Sequence, residues 1–278
     1  MSEFPVVLSI AGSDNSAGAG IQADLKTFSA MGVYGVTAVT CVVAEVPGKV
    51  SLIQPLSPAI VAEQIRLVFE AFPIGALKTG MLHSQGLIEC VCAALREEFA
   101  RLPAGAQHPA LVVDPVMVAT SGHALLEAAG VRAYQEQLFA LATLVTPNLD
   151  EVCTLIGRPV STLAQMRAAG DELVARYNTA FLLKGGHLRG QEAAVDLLFF
   201  EGQVFEYSAP FIAGVSTHGT GCTYSAAIVA GLGRGLLLQQ AVAEAKQFVS
   251  GAISGFLRWQ RAGGATDALD HFAATRRG

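Results

Sequence analysis

Short apolar runs alternate with longer segments of helical periodicity along most of the chain. Residues 6–11, 36–44 and 110–113 are apolar or β-branched almost throughout, which is typical of strands buried on both faces. Residues 58–72 and 85–99 repeat their apolar positions at helical spacing. Strands that alternate with helices predict right-handed crossovers, so we expect a mostly parallel sheet with helices on both faces. Shorter strands are predicted at residues 74–78, 144–146 and 180–184.

The last third of the chain departs from this alternation. Residues 194–211 form two β-rich runs around a Glu-Gly-Gln turn, which predicts an antiparallel hairpin at one sheet edge. The pattern from Thr220 to about Trp259 is helical, with a break near residues 231–235, and the tail from Thr266 predicts a weak terminal helix. No Pro/Ser-rich or highly charged linker divides residues 1–278, so we expect a single α/β domain.

Composition narrows the class of protein. The chain is 52% hydrophobic and 15% charged, and its formal net charge is −5, without the basic stripe that binding to a phosphate backbone needs. Nucleic acid is therefore an unexpected partner. No uninterrupted apolar run reaches the roughly 18 residues that span a bilayer, and no basic region precedes the first apolar segment, so we expect neither membrane insertion nor a signal peptide. The five cysteines lie in apolar surroundings without a C-x-x-C pair, which fits a reducing cytoplasm.

Polar, charged and glycine residues that could bind a ligand follow the predicted strands at their carboxyl ends. Ligands of open α/β sheets bind beyond these ends, so their convergence indicates an enzyme or a small-molecule binder. These segments are Gly12-Ser13-Asp14, Glu45, Lys78-Thr79-Gly80-Met81, Asp114-Pro115-Val116, Thr146-Pro147-Asn148 and Lys184-Gly185-Gly186-His187.

The first glycine-rich segment, residues 18–23, matches G-x-G-x-x-A and opens a predicted helix. With Glu45 placed as a ribose-binding acid, it allows an NAD-binding dehydrogenase. The objection is that residues 12–17 separate the strand from the first glycine of the motif. The alternative is a loop, residues 12–20, that wraps a small substrate, with the carboxylate of Asp24 directed at it. The alternative without a role in binding is a solvent-exposed Asp24 that only interacts favourably with the helix dipole.

The second glycine-rich segment is His218-Gly219-Thr220-Gly221-Cys222-Thr223, which leads into an apolar helix. Glycines before a helix leave backbone N–H groups unobstructed at the positive end of the dipole, which favours an anion hole for a transferred phosphoryl group. We expect Cys222 to have a lowered pKa there and to accept a proton from a substrate hydroxyl. The plain alternative is a tight helix entry with a buried thiol.

A third group combines Asn148 and Glu151 on one helix face with Lys184 at the next strand end. Oxygen ligands three residues apart are suited to the water shell of Mg²⁺, and a lysine neutralises phosphate oxygens. A lone lysine or glutamate at a strand end is more often a surface charge.

Together these segments are similar to those of the ribokinase-like superfamily, and within it of the hydroxymethylpyrimidine and phosphomethylpyrimidine kinases of thiamine synthesis. The matching motifs run in family order over nearly the whole chain. They are Ile10-Ala11-Gly12-Ser13-Asp14, GAGIQADLKT (18–27), Lys78-Thr79-Gly80-Met81-Leu82, Asp114-Pro115-Val116-Met117, Thr146-Pro147-Asn148, Lys184-Gly185-Gly186-His187 and THGTGCT (217–223).

The resemblance implies a three-layer α/β/α sandwich and transfer of the ATP γ-phosphoryl group, with Mg²⁺, to a hydroxymethylpyrimidine and then to its monophosphate. It assigns Gly219, Thr220 and Gly221 to the anion hole and makes Cys222 the base or proton relay. The implied substrate pocket contains Gly12, Ala19, Asp24, Glu45, Met81 and Val116. The implied ATP and metal residues are Lys184, Asn148, Asp114, Thr217 and Glu151, with Asn148 and Glu151 serving Mg²⁺. Homodimers are common among such relatives, so the resemblance also favours a homodimer.

Two departures from the family pattern concern the substrate. Glu45 stands where these kinases usually have a glutamine that pairs with the aminopyrimidine edge, and an ionised carboxylate only accepts hydrogen bonds. The alternative substrate is pyridoxal, as in the related cysteine-type pyridoxal kinases. Residues 119–122 read Ala-Thr-Ser-Gly where the family often has Ala-Lys-Ser-Gly, which predicts a weaker second phosphorylation.

Overall fold

One nine-stranded sheet with helices on both faces organises the computed structural model, which describes residues 4–117, 126–186, 188, 193–212, 214–215, 218–261 and 264–273. The predicted α/β sandwich with a mostly parallel sheet is therefore confirmed. The strands are β1 (Val6–Asp14), β2 (Tyr34–Val46), β3 (Lys49–Pro55), β4 (Ile74–Thr79), β5 (Ala110–Val113), β6 (Leu144–Val145), β7 (Ala180–Lys184), β8 (Ala193–Phe200), β9 (Gln203–Pro210), β10 (Leu257–Arg261) and β11 (Gly264–Ala268). The helices are α1 (Gly20–Ala30), α2 (Pro58–Ala71), α3 (Gln85–Arg101), α4 (Ala128–Ala133), α5 (Leu149–Ile156), α6 (Leu163–Tyr177), α7 (Thr220–Gly233) and α8 (Leu238–Ser254).

The strand order is β3-β2-β1-β4-β5-β6-β7-β8-β9. The pairings among β2, β1, β4, β5, β6 and β7 are parallel, and antiparallel strands close both edges. The chain leaves β1 for β2 on one side and later returns to β4 on its other side. This reversal opens a crevice at the carboxyl end of β1, where open α/β sheets bind their ligands.

Two apolar cores lie on opposite faces of the sheet. Leu8 and Ile10 of β1 belong to the core that α2 to α6 cover, whereas Val7 belongs to the core beneath α1, α7 and α8. This alternation follows from the two-residue period of a strand. Helix α7 is buried at every position from Thr223 to Gly231, so its first turn is fixed against the sheet from several sides.

Two parts of the sequence-based prediction are wrong. Strand β3 was not predicted, because five of its seven residues are exposed and its sequence therefore lacks the apolar run of a buried strand. At the other end, α8 stops at Ser254, and Leu257–Arg261 and Gly264–Ala268 pair as a hairpin where helix was expected. Residues 269–273 continue in turns, so the weak helix predicted from Thr266 is absent from the described part of the tail.

The predicted hairpin at residues 194–211 is present as β8 and β9 at the sheet edge, as expected. Among the described residues, no helix combines the length and the apolar character that a membrane span requires.

Candidate active site

Most of the predicted site residues line one cavity of about 500 Å³, a size typical of small-molecule sites. Of the described residues that were predicted, Asp24 alone does not line this cavity, and Thr217 lies outside the described residues, as do His187 and residues 119–122. The predicted residues that line it are Gly12, Ala19, Glu45, Met81, Asp114, Val116, Asn148, Glu151, Lys184, Gly219, Thr220, Gly221 and Cys222.

The glycine turn before α7 has the backbone geometry that an anion hole needs. Gly219 is the residue before the helix and has a φ of 80°, and a Cβ there would lie 1.7 Å from the carbonyl oxygen of Gly18. Both the left-handed conformation and the close backbone contact therefore require glycine. A Cβ on Gly221 would lie 3.3 Å from Lys184 Nζ, so the turn also passes directly over a positive charge.

Cys222 lies in the first turn of α7 and lines the cavity, but its thiol is not acidic in the free protein. Burial raises the pKa of Cys222 to about 11, although the Lys78 ammonium lowers it. The expected lowering of this pKa is therefore wrong, because loss of solvation outweighs the nearby positive charge. At neutral pH the free protein holds a protonated thiol beside the glycine turn.

Lys184 and Asp114 form an ion pair below the turn. Lys184 Nζ donates to Asp114 Oδ1 at 2.9 Å, and Asp114 also accepts from Thr146 Oγ1 at 3.3 Å. Burial alone would raise the pKa of Asp114, but the ammonium groups of Lys184 and Lys78 hold it below its usual value. Asp114 is therefore ionised at neutral pH, and Lys184 faces the cavity with its charge partly balanced.

Asn148 and Glu151 form a capping box at the start of α5. Asn148 Oδ1 accepts from the Glu151 backbone N–H at 3.0 Å, and Glu151 Oε2 accepts from the Asn148 backbone N–H at 2.8 Å. The amide oxygen that was predicted to serve Mg²⁺ therefore already accepts one hydrogen bond, and Asn148 holds Glu151 in place. Burial and the nearby Asp114 carboxylate raise the pKa of Glu151 to about 8.

The loop of residues 12–20 is organised by Asp14, which the sequence analysis noted only within a motif. Its Oδ2 accepts from the backbone N–H groups of Gly18 at 3.1 Å and Ala19 at 2.8 Å, and lies 3.2 Å from His218 Nε2. These bonds hold the pKa of Asp14 at about 2, despite its burial. Asp14 therefore connects the substrate loop to the start of the glycine turn.

Asp24 was expected to direct its carboxylate at the substrate, and this expectation is not met. Its side chain is 0% exposed, accepts from Lys78 Nζ at 2.8 Å and from Ser9 Oγ at 2.5 Å, and does not line the cavity. The solvated alternative is equally wrong. A lysine 54 residues away is the partner that periodicity within α1 could not indicate.

Glu45 lies on the cavity wall, as predicted for a residue that contacts the substrate. Its backbone N–H donates to Asn15 Oδ1 at 2.7 Å, which fixes the strand end. Burial and the neighbouring Asp14 carboxylate raise the pKa of Glu45, while His218 opposes this. The raised pKa brings Glu45 closer to its protonated form, which both donates and accepts hydrogen bonds.

The sequence analysis missed a second ion pair on the far side of the cavity. Lys246 Nζ donates to Asp196 Oδ2 at 2.6 Å, and Asp196 Oδ1 accepts from the Gly185 backbone N–H at 3.0 Å. Both charged residues line the cavity, as does Tyr224. The one available signal was a carboxylate in the middle of the apolar strand β8, which demands a buried partner.

Comparisons with known proteins agree with this geometry. A family model described as phosphomethylpyrimidine kinase matches residues 14–267. The chain is 44% identical over 250 residues to a hydroxymethylpyrimidine/phosphomethylpyrimidine kinase of Rhizobium meliloti, covering 90% of each protein. It is 42% identical over 247 residues to a thiamine biosynthesis bifunctional protein of Geobacter sulfurreducens, of which it spans 49%.

Two solved structures are similar over nearly their full length. An ADP complex of Bacillus subtilis pyridoxal kinase matches with a TM-score of 0.86 and 32% identity, covering 99% of this chain and 100% of that one. A phosphomethylpyrimidine kinase of Clostridium difficile matches with a TM-score of 0.77 and 35% identity, covering 90% and 100%. The chain therefore shares its fold with a pyridoxal kinase and with a phosphomethylpyrimidine kinase.

Proposed function

The chain belongs to the phosphomethylpyrimidine kinase family, and from this we propose that it is a hydroxymethylpyrimidine and phosphomethylpyrimidine kinase of thiamine biosynthesis. The supporting observation is one cavity that joins the loop of residues 12–20, the glycine turn before α7 and the Lys184–Asp114 pair. The NAD-binding dehydrogenase is excluded by this family membership. Gly18 and Ala19, which precede α1, pack against Gly219 of the glycine turn.

The reaction transfers the γ-phosphoryl group of ATP to the oxygen of a hydroxymethyl group. The oxygen–phosphorus bond to ADP breaks while the new bond to the substrate oxygen forms, and the hydroxyl proton leaves. Backbone N–H groups at the start of α7 stabilise the equatorial oxygens of the transferring group, and Lys184 neutralises charge on the nucleotide. Positioning and charge stabilisation supply most of the catalysis in such a transfer.

Cys222 takes the role of a late proton acceptor in this scheme. Its thiol is protonated in the free protein, so a thiolate is not waiting for the substrate. A loose transition state leaves the hydroxyl proton in place until the new bond is well advanced, when the proton becomes strongly acidic. We assign Cys222 to relaying that proton: the Sγ–H proton passes to a phosphate oxygen, Lys78 stabilises the negative charge that develops on the sulfur, and the sulfur then takes the hydroxyl proton, so the thiol is restored.

The nucleotide side of the cavity fits ATP and Mg²⁺. Asp114 and Glu151 both line the cavity, and the pKa of Glu151 is raised first by burial and then by the Asp114 carboxylate, an unfavourable charge pairing that a divalent cation would relieve. Mg²⁺ usually keeps several waters and uses one or two carboxylates together with phosphates. When bound, the cation would neutralise phosphate charge; Asp114 and Glu151 would hold it, and Asn148 would keep Glu151 oriented.

The substrate side is formed by Gly12, Ala19, Glu45, Met81 and Val116. We assign the pyrimidine ring to this end, with Glu45 facing its amino edge. A Cβ on Gly12 would lie 2.7 Å from Cys41 Sγ, so a larger residue there would displace the cavity wall. Asp24 is left out of the ring contacts because Lys78 and Ser9 occupy its carboxylate oxygens.

Pyridoxal is the second candidate substrate, since the Bacillus subtilis pyridoxal kinase superposes with a TM-score of 0.86. The test is a panel of hydroxymethylpyrimidine, its monophosphate and pyridoxal with ATP and Mg²⁺, for the wild type and for Glu45→Gln. The proposal expects the highest kcat/KM for hydroxymethylpyrimidine and a change in the ranking on substitution. If the wild type had a higher kcat/KM for pyridoxal, pyridoxal and not hydroxymethylpyrimidine would be the substrate. If Glu45→Gln changed kcat/KM equally for all three substrates, Glu45 would have no part in recognising the ring.

A cytoplasmic homodimer remains a proposal. Support comes from exposed apolar side chains on the edge strand β3 and its neighbour β2, where Val42, Val46 and Leu52 are each at least half exposed. Sedimentation equilibrium tests the homodimer: the mass of a dimer at micromolar protein concentration would support it, and the mass of a monomer would contradict it.

A further inference from the structure

The C-terminal brace, defined as β10, β11 and residues 269–273, contacts the chain on both sides of the glycine turn. On the near side, an Arg258 guanidinium nitrogen donates to the carbonyl oxygen of Gly214 at 3.1 Å. On the far side, His271 Nε2 lies 3.0 Å from Thr223 Oγ1, and Thr223 directly follows Cys222. Gly214 and Thr223, which lie before and after the glycine turn in the sequence, are thus both bonded by the same C-terminal segment.

The contact at His271 is buried. Thr223 is 0% exposed and His271 is 4% exposed. Burial lowers the pKa of His271 to about 4, so the ring is neutral at pH 7 and offers one donor and one acceptor. A threonine hydroxyl can satisfy either ring tautomer, and the loss of either partner would leave a buried polar group unpaired.

The brace itself is anchored independently of the turn. Arg258 binds Asp267 through two hydrogen bonds of 2.7 and 2.8 Å across the hairpin. The Asp270 backbone N–H donates to the Ala252 carbonyl oxygen at 3.1 Å, and a Cβ on Gly255 would lie 2.7 Å from Ala273 Cβ. The Arg258–Asp267 pair and the contacts with α8 and Gly255 thus fix the brace without help from the turn. The brace can therefore hold the turn in position.

We propose that the C-terminal brace is a positioning element for phosphoryl transfer, in which the Thr223–His271 hydrogen bond sets the first turn of α7 for catalysis. The inference rests on the proposed function for its kinetic consequence. His271 lies beyond residues 14–267, which the family model matches. His271 does not line the cavity, so its effect passes through Thr223 and the turn.

Such an element has a defined kinetic signature. An anion hole stabilises the transferring group in the transition state, so a displaced turn lowers kcat more than it weakens nucleotide binding. We expect Thr223→Val and His271→Ala each to lower kcat for hydroxymethylpyrimidine about tenfold, with the KM for ATP changed less than twofold. Since both remove one hydrogen bond, the double variant is no slower than the slower single variant.

Conservative and distant substitutions provide the controls. Thr223→Ser keeps the hydroxyl, and His271→Gln keeps a donor and an acceptor, so both are expected to retain at least half of the wild-type kcat. Thr154→Val removes a helical threonine hydroxyl that bonds only the Asp150 carbonyl oxygen on α5, and is expected to match the wild type. Equal losses in Thr154→Val and Thr223→Val would overturn the proposal.

A second readout does not depend on turnover. The rate at which iodoacetamide alkylates Cys222, followed by peptide mass spectrometry, reports the exposure and setting of the first turn. Loosening the turn is expected to raise this rate at least threefold in Thr223→Val and His271→Ala, at temperatures where circular dichroism shows them folded. Unchanged alkylation together with a kcat within twofold of the wild type would refute the brace.

These readouts separate the two claims. A wild-type protein that does not phosphorylate the pyrimidine would contradict the proposed function, whereas its alkylation rates would still decide the inference. If His271→Ala does not fold, Thr223→Val decides alone, because valine fills the same volume. Arg258→Ala, at an exposed guanidinium, gives the matching test on the Gly214 side, where faster alkylation of Cys222 supports the brace and an unchanged rate opposes it.

Discussion

Buried charged side chains surround the thiol of Cys222. Lys78 pairs with Asp24 below it, and Lys184 pairs with Asp114 beside it. A buried pair is costly to break, because the remaining partner keeps an uncompensated charge in a medium of low polarity. The site therefore holds its positive groups in fixed places before the substrate arrives, which is the condition for electrostatic catalysis.

Replacement of Cys222 by alanine tests the proton relay. A general acid or base contributes about 10² to 10⁴ in rate, so we expect Cys222→Ala to lower kcat at least about 100-fold. The KM for ATP should stay within about twofold, since the relay acts mainly in the transition state. Steady-state kinetics measure both values. Cys90→Ala, outside the cavity, is the control, and a Cys222→Ala enzyme with wild-type kcat would remove the relay from the mechanism.

His271 makes a separate prediction about stability and pH. Its pKa falls from 6.5 in the unfolded chain to about 4 in the folded protein, with Lys26 adding to the effect of burial and Asp270 opposing it. The unfolded chain takes up the proton first, so stability is lost as the pH falls from about 6.5 towards 4. Linkage gives a loss on the order of 2 kcal/mol at pH 5. Urea unfolding at pH 7 and pH 5 measures this loss in the free energy of unfolding. The His271→Gln variant should lose less than the wild type between these two pH values, and an equal loss would contradict the assignment of the pH dependence to His271.

Single residues also show where inference from sequence stops. The glycine turn, Lys184 and Glu45 could be placed at the cavity because each follows a strand or precedes a helix in a recognisable local pattern. The burial of Asp24 and the raised pKa of Cys222 depend on Lys78 and on the depth of packing, which no local pattern records. The sign of a pKa shift at a helix start is a tertiary property when burial competes with nearby charge.

Helix starts differ in function although their chemistry is the same. Both α5 and α6 begin with capping boxes, Asn148 with Glu151 at the cavity and Thr162 with Gln165 away from it. Each box satisfies backbone donors that the first turn leaves unpaired. Only the first box also holds a carboxyl group beside Asp114.

This pair of boxes gives a matched experiment. Asn148→Ala and Thr162→Ala should each lower the free energy of unfolding by about 1 kcal/mol, as is usual when a capping side chain is lost. Only Asn148→Ala should raise the KM for ATP, since it releases Glu151. Urea unfolding and kinetics on both variants check this. Equal KM values for the two would mean that the box at α5 has a structural role alone.

The elements that the sequence analysis predicted well are those with strong periodicity. β1, β2, α2, α3 and α7 are long or continuously apolar, so their patterns leave little ambiguity. β3 and the β10–β11 hairpin are short and largely exposed, so their side chains carry no burial signal. The apolar residues Leu257 and Trp259 continued the helical pattern of α8, and their true pairing is with residues that follow them across the hairpin.

At the level of the whole molecule, the site is assembled from most of the sheet. β1, β2, β4, β5 and β7 each deliver a residue to the cavity at their carboxyl ends, and α7 closes it from one side. A ligand that fills the cavity therefore contacts many elements that separate on unfolding. Its binding energy is added to the stability of the folded state.

Ligand-dependent melting uses this linkage. ATP with Mg²⁺ at 100 times its dissociation constant should stabilise the protein by about 2.7 kcal/mol and raise its Tm, whereas NADH should leave the Tm unchanged. Differential scanning fluorimetry measures both. Stabilisation by NADH alone would contradict the assignment of the cavity.

The position of the terminal phosphate tests the central claim most directly. A crystal structure with a non-hydrolysable ATP analogue and hydroxymethylpyrimidine should place the γ-phosphate within hydrogen-bond distance of the backbone N–H groups of Gly221 and Cys222, with the hydroxymethyl oxygen facing it. A γ-phosphate bound elsewhere, with the turn of residues 219–222 free of ligand, would contradict the account.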